Sequence, residues 1–289
     1  MDLLWLDHNE CNNLGLVGGK VASLSRLAAT YPVPPGFCVT TTALERWTER
    51  DGVHVPEDSV RDALIHAYRA LAEQCGTHEP RVAVRSSAVD EDGTGASFAG
   101  QYETYLNVSG IHDVVKAVGR CRASLHSTRV AEYRRMNGLA MDNIRLAVLV
   151  QQLVPSDVSA VMFSANPVTL DRGEIVINAS WGLGESIVGG TVTPDMISIR
   201  KSDLAVVSYH VADKRRMTVS VTGGTEEVDV PAFLRRRAAL EKPQLREMAL
   251  LALSLEDRHQ WPVDVECAYH GGKLYLLQCR PVTTLAARA

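Results

Sequence analysis

Apolar residues recur along this chain with two periods, and the alternation between those periods predicts a mixed α/β protein. Val21, Leu24 and Leu27 fall at helical spacing over residues 20–29, until Tyr31-Pro-Val-Pro-Pro-Gly breaks the pattern. Val60, Ala63, Leu64, Ala67, Tyr68 and Leu71 share one face of a second helix, which Asp58 or Ser59 can cap. Residues 81–85 read as a short strand that runs into a polar, glycine-containing loop. A long helix is predicted over 112–136, apolar at Val114, Val115, Val118, Cys121 and Leu125, with its many arginines on a solvated face.

From Ile144 the texture changes. Strands are predicted over 146–153, 160–163, 175–179, 197–200, 206–211, 217–221 and 227–230. A helix over 231–255 then leads to a final hairpin. The shift places a boundary between an N-terminal lobe, 1–143, and a C-terminal lobe, 144–289.

The 289 residues, 46% of them apolar and 22% charged, are enough for a large core divided between two lobes. The formal net charge of −4 and the absence of a Lys/Arg block give no reason to expect nucleic acid as a partner. No apolar run reaches the roughly 18 residues that a membrane span needs. The acidic start MDLLWLDHNE lacks the layout of a signal peptide, so the expected location is cytoplasmic. Six cysteines are scattered without a C-x-x-C and read as reduced thiols. The nine histidines show no metal-ligand spacing, and none has the setting of a phosphorylated nucleophile.

Four stretches can carry chemistry. Gly15-Leu-Val-Gly-Gly-Lys20 fails as a Walker A loop, because three residues rather than four precede Gly-Lys and Val21 follows. Two glycines and Lys20 opening a helix can nevertheless form an anion site, or serve only as a cap. Arg85 ends a strand before a loop of small residues with Gly93, Thr94, Ser97, Gly100 and Gln101, whose backbone N–H groups could approach a triphosphate. The strand ending Gln151-Gln152-Leu153-Val154 could present backbone groups to an adenine, or be only a core strand.

The fourth stretch is the hairpin Asp264-Val-Glu266 to Gln278-Cys-Arg280, turning at Gly271-Gly272. With a three-residue loop, Glu266 sits opposite Gln278, and Gln278 shares a face with Arg280. A two-residue loop shifts the pairing by one and spoils this geometry. In the first register a carboxylate and an amide oxygen suit Mg²⁺, and the guanidinium suits a phosphate. Trp181-Gly-Leu-Gly-Glu185 is a further glycine-rich turn with one carboxylate, unspecific by itself.

Taken in order, VRSSAVDEDG with SFAGQ, FSANPVT, GLGES with TPD, and LLQCRP resemble the ATP-grasp nucleotide-binding domain of the phosphoenolpyruvate synthase, pyruvate phosphate dikinase and rifampin phosphotransferase family. The resemblance covers nearly the whole chain and implies a two-lobed α/β fold with ATP in the cleft between lobes. It implies that Lys20 and Arg85 bind the triphosphate and that the Gly93–Gln101 loop covers it. It further implies that 151–154 hold adenine, that Glu266 and Gln278 bind Mg²⁺, and that Arg280 stands beside the transferred phosphate. Glu185 lies in a family motif without a clear role. Ala160 stands where the family usually has glycine, and Ser164 where it usually has threonine. The swivelling domain and T-S-H-type histidine motif of full-length relatives do not occur in the sequence.

The expected activity is therefore cleavage of ATP to AMP and phosphate, the β-phosphate passing to a histidine domain in trans and on to a small-molecule acceptor. The alternatives are a stand-alone kinase without a phosphohistidine step and a subunit that binds ATP without transferring it.

Overall fold

The structure, a computed structural model, describes residues 1–90, 103–136 and 144–282. The chain divides into two compact units, Met1–Leu153 with Val221–Gly224, and Val154–Ser220 with Thr225–Ala289. The division lies after the expected 143/144 boundary because the strand Leu146–Gln152 is an interior strand of the first sheet. Its apolar run, buried on both faces, had looked like the start of a new region.

The first unit begins with β1 (Leu3–Trp5), α1 (Leu14–Ala28), β2 (Gly36–Val39) and α2 (Thr41–Glu45). A small hairpin of β3 (Trp47–Arg50) and β4 (Val53–Pro56) leads to α3 (Asp58–Cys75). There follow β5 (Val82–Ala88), β6 (Thr104–Val108), α4 (Ile111–Ala123), α5 (Thr128–Met136) and β7 (Leu146–Gln152). Five strands form an antiparallel sheet in the order β1-β2-β7-β5-β6. Alternation sorts β7 between two cores. Leu146, Val148 and Val150 join Leu64, Leu71, Val114 and Val118 on one face. Ala147 and Leu149 join Val17, Val21 and Leu24 of α1 on the other.

The single helix predicted over 112–136 is two helices. Ser127 adopts extended backbone between them, and its Oγ accepts from the Val130 N–H at 3.3 Å, starting α5 afresh. Nor are its arginines simply solvated. Arg134 is buried and pairs with Asp90. Arg122 donates to the Leu44 carbonyl at 2.6 Å, and Arg120 lies 4.2 Å from the centre of the Tyr105 ring.

The second unit runs β8 (Val158–Phe163), β9 (Glu174–Trp181), α6 (Glu185–Val188), β10 (Asp195–Arg200) and β11 (Val206–His210). The hairpin β12 (Arg216–Val221) and β13 (Gly224–Asp229) follows, with its turn grouped in the first unit. α7 (Ala232–Arg235), α8 (Lys242–His259), β14 (Val263–His270) and β15 (Lys273–Pro281) complete the described chain. Six strands form an antiparallel sheet, β11-β10-β9-β8-β14-β15, and α8 packs against β14 and β8. α8 starts later than the pattern predicted because Pro243, which lacks an N–H, has to lie in the first turn. Glu241 and Gln244 close a capping box around it. No helix among the described residues is long and apolar enough to cross a membrane.

A fully buried ion pair ties the second unit together. Asp195 Oδ1 accepts from Lys214 Nζ at 2.5 Å and from the Ala212 N–H at 2.9 Å, while Oδ2 accepts from the Ala239 N–H at 2.8 Å. One carboxylate thereby joins β10 to two segments that carry no sheet pairing to it. Asp195→Ala, which strands the buried ammonium, is expected to cost about 3–5 kcal/mol in urea unfolding, whereas the apolar pair Asp195→Leu with Lys214→Met costs much less. Equal losses in the single and double variants would show that the charges are not coupled.

Candidate functional site

In the first unit the candidate groups meet where α1 crosses β5. Helical geometry fails at Gly18, with φ 74°, and a Cβ there would lie 2.2 Å from the Ser87 carbonyl oxygen. Only glycine allows both the turn and this approach. The helix restarts against β5, where Ser87 Oγ accepts from the Val21 N–H at 3.2 Å. One first-turn donor is thus satisfied by protein, and the glycine pair serves as the turn that docks the helix on β5. The restart aims Lys20, almost wholly buried, so that its ammonium donates to the Ser86 carbonyl at 2.8 Å. Arg85 and Ser87 alternate onto the α1 side of the sheet, in register with Leu149 and Ala147. Lys20 and Arg85, distant in sequence, are both carried by this α1–β5 junction.

Gly93, Thr94, Ser97, Gly100 and Gln101 lie outside the described residues. The stretch expected to hold adenine is placed in detail. The buried Gln151 amide donates to the Pro34 carbonyl at 3.0 Å, so that side chain ties β7 to the segment preceding β2. The N–H groups of Gln152 and Leu153 donate to the Pro35 and Arg81 carbonyls, each at 2.9 Å. The Val154 carbonyl accepts from Ser156 Oγ at 3.2 Å.

In the second unit β14 and β15 assemble a compact polar group. Their turn has two residues, Gly271 and Gly272, both at positive φ, with His270 opposite Lys273. A two-residue turn in regular register would set Glu266 against Leu277. The register instead shifts between Glu266 and Cys267, leaving Leu277 as an extra residue, and Glu266 pairs with Gln278 and Asp264 with Arg280. The predicted pairing is present for a different reason, a bulge in place of a longer loop. Glu266 is half-buried and Gln278 is 6% exposed.

Arg280 is held by Asp264, whose Oδ2 accepts from Nε at 2.9 Å and from Nη2 at 2.7 Å. Burial pushes the Asp264 carboxyl above the ordinary aspartate range, Arg280 pulls it back, and the Glu266 charge adds to the rise. Asp264 had been assigned no role, although strand alternation alone puts it on the face of Glu266. Glu185 is exposed in the first turn of α6, and its Oε2 accepts from Thr225 Oγ1 at 3.0 Å.

The donor set fits a hard divalent cation. A carboxylate and an amide oxygen stand on paired positions. That pattern suits Mg²⁺, which takes one or two protein oxygens and completes its shell with water and phosphate, better than zinc.

Known proteins resemble this chain over nearly its whole length. Residues 53–289 match the family described as pyruvate phosphate dikinase, AMP/ATP-binding domain. A probable phosphoenolpyruvate synthase of Methanocaldococcus jannaschii is 38% identical over 98% of this chain and 27% of its own length. The phosphoenolpyruvate synthase of Pyrococcus furiosus is 35% identical over 99% of this chain and 44% of its own. The uncharacterized phosphotransferase YvkC of Bacillus subtilis is 36% identical over 93% of this chain and 34% of its own. The chain belongs to the pyruvate phosphate dikinase AMP/ATP-binding domain family. It spans less than half the length of each of these relatives.

The Asp264–Arg280 pair makes a pH prediction. The folded carboxyl holds its proton more tightly than the unfolded one. Its contribution therefore favours the fold below the ordinary aspartate range and is lost as pH rises through the raised folded value. Carboxyl carbon NMR is expected to show Asp264 titrating above exposed aspartates, and higher again in Arg280→Met. An Asp264 titration that ignores this substitution would contradict the pairing.

Proposed function

We propose that this chain carries out the ATP half of a dikinase reaction, in which the β-phosphate passes to a histidine with AMP as leaving group and water takes up the γ-phosphate as inorganic phosphate. The observation that carries this reading is the apposition of Glu266 with Gln278, beside an Arg280 gripped by Asp264. Simple nucleotide storage does not require a metal-binding pair and a buttressed phosphate arginine on one strand face.

In this reading Lys20 and Arg85 bind phosphate oxygens, the lysine from a nearly water-free position where its charge is weakly screened. Glu266 and Gln278 would hold Mg²⁺, which when bound offsets charge on the phosphates. Arg280, fixed by Asp264 and spared the entropy of finding its position, stabilises charge that develops on the transferred group. The 93–101 loop covers the phosphates and 151–154 hold the adenine. Since the Gln151 side chain is already engaged by Pro34, recognition in that stretch falls to backbone groups and to the other side chains.

The phosphoryl acceptor is a histidine on a separate domain or subunit, which relays the group to a small molecule in the cytoplasm. The relatives' names and their greater length support that division of labour.

Incubation with Mg²⁺ and ATP labelled at the β- or γ-phosphate, with and without a histidine domain from a relative, tests the reading. AMP and phosphate are expected only with the histidine domain, with the β-label on its histidine. ADP formed without it would establish a direct kinase instead, and tight ATP binding without transfer would leave a purely binding subunit.

A further inference from the structure

The sheet register of the second unit places more than the hairpin on the functional face. Pairing is continuous from Gln278 to Glu266, Val161, Asn178, Met196 and His210, one residue per strand from β15 to β11. Residues directly opposite one another in an antiparallel sheet point to the same side. The face that carries Glu266 and Gln278 therefore carries Asn178 as well. Ile175, Ile177 and Ala179, which alternate with Asn178 along β9, are fully buried on the other side.

Asn178 is out of place by ordinary strand chemistry. Asparagine is disfavoured in interior strands, and β9 is an interior strand of this sheet. Its row neighbours are the apolar Val161 and Met196. The side chain is half-buried, and among the described residues it makes no hydrogen bond. On the same face of β9, Ser180 Oγ is buried with no partner. The Asn178 amide is therefore uncommitted within the protein and open to the face it lies on, where a bound ligand could take up its hydrogen bonds.

We propose that Asn178 is a nucleotide-contacting residue whose amide hydrogen-bonds the ribose or the α-phosphate of ATP. The proposal rests on the ATP reading above. Glu266 and Asn178 are two strands apart, about 10 Å at ordinary strand spacing. That exceeds the reach of one phosphate group and lies within the length of one nucleotide. Asn178 therefore addresses a part of ATP beyond the phosphates assigned to Glu266, Gln278 and Arg280. An amide offers both a donor and an acceptor, which suits a sugar hydroxyl, while its N–H groups alone suit a phosphate.

Calorimetric titration of the full chain with ATP and Mg²⁺, together with thermal melting, tests the assignment. Asn178→Ala is expected to weaken ATP binding roughly three- to tenfold, the range of one or two hydrogen bonds, at an unchanged melting temperature. Asn178→Asp locates the contact: a loss greater than that of alanine, from like-charge repulsion, marks the α-phosphate, and a smaller loss marks the ribose. If the alanine variant melts early, the near-isosteric Asn178→Leu takes its place in the comparison. Wild-type affinity in a stably folded Asn178→Ala or Asn178→Leu overturns this assignment alone. Failure of the wild-type chain to bind ATP overturns the parent reading and this one with it.

Discussion

Strand register is the constraint on which the chemistry of the second unit depends. Side chains alternate faces, so a slip of one residue between β14 and β15 would move Gln278 and Arg280 to the side opposite Glu266 and Asp264. The glycine turn at 271–272 would by itself produce that wrong register, and the extra residue Leu277 corrects it. Four polar groups then converge: a carboxylate and an amide as a pair, and a guanidinium clamped by a second carboxylate. Ion pairing holds this cluster only once pairing has placed it, because exposed charges in wrong register are worth little. The remaining strands extend the same face outward to Asn178.

The first unit solves a comparable problem with a helix. Lys20 must be aimed accurately from a flexible side chain, and this is achieved by breaking α1 at Gly18 and docking the restart onto Ser86 and Ser87. The strand that receives the helix also carries Arg85, so one junction positions both cations. Burial of the lysine lowers the local dielectric and strengthens whatever anion it meets. The same low dielectric requires a partner when no anion is present, and the Ser86 carbonyl provides one.

Much of this was legible in the sequence, and the failures have physical causes. The long apolar strands and the amphipathic α3 follow from period alone. Lys20, Arg85, Glu266, Gln278 and Arg280 could be named from their segments. The edge strand β1 and its neighbour β2 were missed because they are short and lie among prolines and turns. The 112–136 helix was drawn as one because its apolar stripe continues across Ser127, where a cap rather than a hydrophobic signal decides. Arg134 was read as solvated because its partner Asp90 is far away in sequence. Asp195 and Lys214 gave no signal at all, since burial of a charge pair is a tertiary event. Asp264 was readable from alternation with Glu266, and the bulge at Leu277 was not.

The central claim is that Glu266 and Gln278 form a metal-binding pair serving ATP. Titration of ATP into wild-type protein and into Glu266→Gln, each with and without Mg²⁺, tests it most directly. The account predicts that wild type binds ATP more tightly with Mg²⁺, and that Glu266→Gln loses most of this gain while keeping its metal-free affinity. An undiminished Mg²⁺ gain in the variant would contradict the claim.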